Sequence, residues 1–218
     1  VISFSLGSSI ENVQPGFQIN WLKMLPIALR AVLYSDCISK FYHASVVREK
    51  ESGEAARLRD MYLEKAEKLF RCLSMAAADF DRICKDETRP KVGIVGEIFL
   101  KFNPFSHKNI TGWLIERGIE VVPPMITGFF MQSFVNRKVK VESYMEFVYD
   151  LGYKTVKKQI DRVNRIAGRF RYFIPFGDIF EEAEDARKVV SLNAQFGEGW
   201  LLPAEVMSYA RQGVKNVL

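Results

Sequence analysis

Apolar residues recur at intervals of three and four over two long stretches of the chain. Past residue 90 they give way to short apolar runs divided by glycine and proline. The first stretch, INWLKMLPIALRAVLYSDCISKFYH over Ile19–His43, has helical spacing. Pro26 is expected to begin or kink a helix there, because proline lacks the N–H that an interior helical position donates. The second stretch, from Gly53 to Cys84, sets Leu58, Met61, Tyr62, Ala66, Leu69, Phe70 and Leu73 at three- and four-residue steps, with charges on the other face. That pattern predicts an amphipathic helix packed on a neighbour. Ahead of both, VISFSLGSSIENVQPG reads as a strand or extended arm followed by a loop, and DETRP at Asp86–Pro90 reads as a breaker and boundary.

Beyond that boundary KVGIVGEIF has the β-branched, glycine-punctuated character of a buried parallel strand. The polar loop KFNPFSHKN follows, then a helix ITGWLIER that Gly118 can terminate in the left-handed region, then a second strand, IEVVPP. Strand, loop, helix and strand within some thirty residues predict a βαβ unit with a right-handed crossover. From Met125 to about Leu192 the alternation gives way to helical patterns, divided by Gly152, Gly168 and Pro175 into three or four helices. GWLLPAEVMSYARQG then reads as a helix and VKNVL as a third strand of the same sheet. The expected fold class is therefore α/β: a parallel sheet of βαβ units (residues 90–218) interrupted by a helical insertion at about 125–192, behind a mainly helical amino-terminal portion (residues 1–89).

Composition narrows the class. The 218 residues combine 48% apolar with 26% charged side chains, as in a folded globular protein. No window approaches the eighteen or so uninterrupted apolar residues of a membrane span. Val1 and the residues after it lack the pattern of a secretory leader, and the start reads as an internal one. Three cysteines, Cys37, Cys72 and Cys84, without CxxC spacing, favour free thiols in a reducing compartment and are expected to pack as small hydrophobes. The net charge of +5 is local: Arg137–Arg171 holds ten basic and four acidic residues, an excess larger than that of the whole chain.

Several residues are candidates for chemistry. Glu97 stands at the carboxyl end of the first strand, where open α/β sheets bind ligands, and it equally suits a cap for a neighbouring amide. GIVGEIF lacks the GxGxxG spacing of a dinucleotide site; Gly93, within the strand, serves close packing instead. Asn103 and His107 bring hydrogen-bonding groups to the same rim, while Ser106 or Asn109 is the expected N-cap of the next helix. His107 has no partner at metal-ligand spacing. In FGEGW, Gly197 and Gly199 free the backbone around Glu198, which either caps the following helix or converges with Glu97 above neighbouring strands. Lys154, Lys158, Arg162, Arg165 and Arg169 follow helical steps along one face. Such a face is simply solvated, or it meets an acidic partner, the phosphates of a nucleotide or acyl-CoA, or a nucleic-acid backbone. Aromatic residues for stacking lie only at its ends, which disfavours nucleic acid.

Two patches, Val92–Phe105 and Phe196–Ala204, carry a family resemblance. PKVGIVGEIFLKFNPFSHKNITGWLIERGIEVVPP, and NAQFGEGWLLPAEVMSYARQGVKNVL after the insertion, resemble the carboxy-terminal portion of activase-related proteins of the 2-hydroxyacyl-CoA dehydratases and double-cubane-cluster reductases. The resemblance implies a domain of a long cytoplasmic protein of anaerobic bacteria, in which an ATPase activator module drives an electron toward a four-iron four-sulfur centre. Partners so implied are the activator module and an acyl-CoA substrate. The cluster's cysteine motifs in that family lie outside the residues of this chain, and Cys37, Cys72 and Cys84 do not match them. Two rival readings stand beside it: a non-catalytic α/β ligand-binding or regulatory module, and nucleic-acid binding through the basic insertion.

Overall fold

A computed structural model describes residues 20–65, 69–140 and 146–218. The arm expected within Val1–Gly16, and Ala66, lie outside the described residues. The chain is mostly helical, with one small parallel sheet.

Helix α1 (Trp21–Ser45) opens at Asn20, whose side chain accepts from the Lys23 N–H. Pro26 neither begins nor ends it; the helix starts before it and runs on past it. Leu33, Cys37, Phe41 and Ala44 form its buried stripe at steps of three and four. The single helix expected over Gly53–Cys84 is instead two, α2 (Glu54–Glu64) and α3 (Leu69–Ile83). The apolar spacing persists, yet the chain folds back, because the Tyr62 hydroxyl donates to Asp79 and the Tyr62 ring lies 6.5 Å from that of Phe80. Residues seventeen or eighteen apart in a straight helix would be about 25 Å away along its axis. Folding back lets Leu58, Tyr62, Leu73 and Phe80 all join the core around α1.

The sheet is β1 (Lys91–Gly93), β2 (Glu120–Val122) and β3 (Asn216–Val217), in the order β2-β1-β3 with both pairings parallel. Val92 is level with Val121, and Gly93 with Val217. The strands are shorter than the apolar runs that predicted them, although bonding continues from Ile94 N–H to the Val122 carbonyl and from Val95 N–H to that of Leu218. Between β1 and β2 lie α4 (Ile98–Lys101), which the sequence pattern did not reveal, and α5 (Ile110–Glu116). Gly118, at φ +70°, closes α5 as expected. Leu114 packs under Val92 and Val121, while Tyr209 packs with Val122 and Val214. A side chain at Gly93 would collide with the Tyr209 ring, which explains the glycine in the strand.

After β2 come α6 (Ile126–Lys140), α7 (Glu146–Ala167) and α8 (Ile179–Ala186), then α9 (Leu201–Arg211) leading to β3. Gly152 lies inside α7 and does not divide it, whereas Gly168 follows its end. Buried residues of α1–α3 and α6–α9 form one continuous cluster in which the Phe41 ring meets Phe80 at 5.7 Å and Phe170 at 5.2 Å. Among the described residues, no helix is long and apolar enough to cross a membrane.

One ion pair joins the helices to the sheet. Arg48, just past α1, places Nη2 2.6 Å from Glu120 Oε2, with both side chains at most 2% exposed. Its other nitrogens donate to the carbonyls of Ala44 and Glu87, and its guanidinium lies 4.2 Å from the centre of the Tyr172 ring. Without Arg48 the buried Glu120 carboxylate is left facing the more exposed Lys91 Nζ at 3.6 Å, which offsets its charge only in part. Arg48→Met is expected to lower unfolding stability in urea by about 3–5 kcal/mol, and adding Glu120→Leu to regain a large part of that loss.

Candidate functional site

The carboxyl ends of the strands define a rim, and the chain leaving β1 builds its first side. Glu97 sits in extended conformation ahead of α4, and its Oε2 accepts from the N–H groups of Phe99 at 2.8 Å and Leu100 at 3.3 Å. Its carboxylate is thus occupied as an N-cap, the structural alternative of the two expected. One turn later Lys101 turns its side chain inward until it is 1% exposed. Its Nζ lies 2.9 Å from Glu205 Oε1 and 3.6 Å from Glu198 Oε1.

FGEGW builds the second side. Gly197 and Gly199 hold φ of +59° and +39°, and a side chain at Gly199 would run into the Ala194 carbonyl. The bend is closed by Trp200 N–H to the Ala194 carbonyl and Leu201 N–H to that of Glu198. It turns Glu198 inward, to 3% exposure. Glu198 does not cap α9, whose cap position is Trp200 with no side-chain bond. Nor is Glu97 its partner: the convergence at this rim is of Glu198 and Glu205 upon Lys101.

Asn103 and His107 belong to the loop and make local bonds. Asn103 Oδ1 accepts from Phe105 N–H, and His107 Nδ1 accepts from Ile110 N–H. The histidine therefore does the capping expected of Ser106 or Asn109; Asn109 occupies the cap position without a side-chain bond.

Beside the Lys101 cluster lies a cavity of about 80 Å³ among α1, α6, α8, α9 and the chain after β2. Its polar wall includes Lys40, Thr127, Glu182, Glu205, Ser208 and Tyr209. Lys40 Nζ donates to the Ile174 carbonyl at 2.9 Å and faces the Phe176 ring at 4.7 Å. Burial lowers its ammonium to about 8. Burial also raises Glu182, whose Oε1 accepts from the Ser208 hydroxyl, and lifts Glu205 to about 6 against the opposing pull of Lys101.

The expected basic face is only partly free. Lys154 pairs with Asp150 at 2.9 Å, Arg162 stacks at 4.0 Å on the Phe70 ring, and Arg169, beyond the end of α7, donates to Ser74. Lys158 and Arg165 are exposed on α7. Cys37 and Cys84 are buried as expected, Cys72 is half-buried, and all three are free. Burial pushes the Cys37 thiol up, away from the thiolate that binds metals. No group of three metal-binding side chains occurs among the described residues.

Sequence reasoning missed Lys40, Lys101, Glu182 and Glu205. A signal existed for three of them: Lys40 lies in phase with Leu33, Cys37 and Ala44, Glu182 with Ile179 and Ala186, and Glu205 with Leu201 and Tyr209. A charge on a buried helical stripe marks a paired or functional group.

Comparison with known protein families, curated proteins and solved structures finds no match to this chain.

Because folding raises Glu205 from 4.5 to about 6, the folded state holds this proton more tightly than the unfolded one. The contribution is fully present below pH 4.5 and is lost as pH rises through about 6. In thermal unfolding, the stability of the native protein relative to Glu205→Gln is expected to fall across that window. A flat or rising difference contradicts the burial assigned to this carboxyl.

Proposed function

We propose that the chain is an α/β domain of an ATP-dependent iron–sulfur electron-transfer system, of the kind associated with 2-hydroxyacyl-CoA dehydratases and acyl-CoA-type reduction. The observation that carries this reading is the meeting of the two stretches on which the resemblance rests. Lys101 belongs to the first, Glu198 lies within the second and Glu205 directly follows it, and the three are joined in one buried cluster. We read the fold accordingly: β1, α5 and β2 as one βαβ unit, α6–α8 as its insertion, and α9 with β3 as the resumed alternation. Glu97, Asn103 and His107 then shape the loop at the rim, while the ion cluster fixes FGEGW against α4. Exposed Lys158 and Arg165 are the groups left to meet the phosphates of an acyl-CoA or an acidic face of the activator module, Lys154 being paired with Asp150.

In this reading the ligands of the iron–sulfur centre lie outside the residues of this chain, as the resemblance implies. A second reading, a ligand-binding module without catalysis, draws support from the cavity beside Lys40, which has room for a few water-sized groups.

The leading reading is tested by purifying, without oxygen, a version of the protein extended at both ends, and measuring iron and acid-labile sulfide. About four of each per chain are expected, with reduction dependent on ATP and the activator. An extended protein free of iron would overturn it.

A further inference from the structure

The cavity beside the sheet rim has a composition that the electron-transfer reading does not use. One wall presents a primary amine, Lys40 on α1; Glu182, hydrogen-bonded by Ser208, and Glu205 line it from α8 and α9. Between them run apolar side chains, among them Met131, Ile160 and Phe176. Lys40 is 8% exposed, and one N–H is committed to the Ile174 carbonyl. That bond aims the amine from the loop before α8, and the amine keeps further valences for a ligand.

We propose that Lys40 is the amine of an imine-forming site, which captures a small neutral aldehyde or ketone in this cavity. Charge selects the ligand class. The carboxyls near the amine are Asp36 on its own helix, which accepts from Thr127, with Glu182 and Glu205 across the cavity; Cys37 and Tyr209 are the other titratable neighbours. Lys101 is paired with Glu205 and Arg211 acts on Glu182, so the wall has no surplus of positive charge to draw a carboxylate-bearing ligand, whereas a neutral carbonyl requires none. Size agrees, since about 80 Å³ holds a short aliphatic chain and excludes a nucleotide.

The step balances without an oxidant or reductant. The Lys40 lone pair attacks the carbonyl carbon, the C=O π pair moves to oxygen, and a proton passes from nitrogen to that oxygen through the Glu182–Ser208 pair. The resulting hydroxyl leaves as water with a proton from a carboxylic acid of the cavity, and the C=N bond forms. Burial lowers the Lys40 ammonium to about 8, which supplies the free amine, and raises Glu182, which shifts that carboxyl toward its acid form. At pH 7 an ordinary lysine near 10.4 holds on the order of 100-fold less free amine.

The test is reductive trapping of the intact chain at pH 7 with propionaldehyde and cyanoborohydride, followed by peptide mapping of every lysine over time. Lys40 is expected to gain the propyl group at least about tenfold faster than exposed Lys154 and Lys158. Glu182→Gln, which keeps the amine, is expected to slow that labelling severalfold while leaving the surface lysines unchanged. Lys40→Arg, checked for folding by circular dichroism, is expected to lose the fast-labelled peptide. Labelling of Lys40 at or below the rate of the surface lysines would overturn the proposal, as would an unchanged rate in Glu182→Gln. Neither outcome depends on iron, so failure here is distinct from failure of the electron-transfer reading.

Discussion

A lysine ammonium withdrawn from water holds the rim of this protein together. Lys101 leaves the end of a four-residue helix and is compensated by carboxylates that arrive from about a hundred residues later in the chain. An ammonium at 1% exposure without those partners would carry a desolvation cost of several kcal/mol. The cluster therefore makes α4 and FGEGW interdependent: neither stretch settles alone. Glu97 contributes at one remove, since its cap on Phe99 and Leu100 orders the short helix that aims the lysine.

Sheet order makes this meeting possible. With β1 in the centre and both neighbours parallel, the segments that leave β1 and β2 emerge on the same side, and α9 crosses the sheet to enter β3. The glycine at position 93 admits the Tyr209 ring and brings α9 down onto the strands, which places Glu205 one helical turn earlier within reach of Lys101. The opposite, amino-terminal end is secured differently. There Glu120, the first residue of β2, is held by Arg48, and Arg48 also bonds the Ala44 and Glu87 carbonyls. Two buried charge clusters thus bracket a sheet too small to be stable by its own strands.

Much of this was legible in the chain. Three short apolar runs predicted three strands, the helices between them apart from α4 followed from spacing, and Gly118 and the FGEGW glycines marked turns that the backbone indeed takes in the left-handed region. What escaped was the fold-back between α2 and α3, because apolar spacing is unchanged by a reversal and the contact that records it, Tyr62 with Asp79, is tertiary. Gly152 misled in the other direction: within a long, well-packed helix one glycine costs about 1 kcal/mol and does not break it. Glu97 and Glu198 were each expected either to cap a helix or to meet at the rim; the first caps and the second turns inward toward Lys101. Glu97 caps a helix too short for periodicity to reveal, and Glu198 serves a lysine whose inward direction no linear pattern encodes.

Helix packing, sheet order and the two resemblance-bearing stretches all converge on the Lys101 cluster, and the proposed function leans on it. A double-mutant cycle in urea with Lys101→Met, Glu205→Gln and the pair, repeated with Glu198→Gln, measures it directly. The account predicts a coupling of about 1–3 kcal/mol for Lys101 with Glu205, and a smaller one with Glu198 at its longer distance. Additive effects, with coupling below about 0.5 kcal/mol for both pairs, would contradict a rim held together by this ammonium.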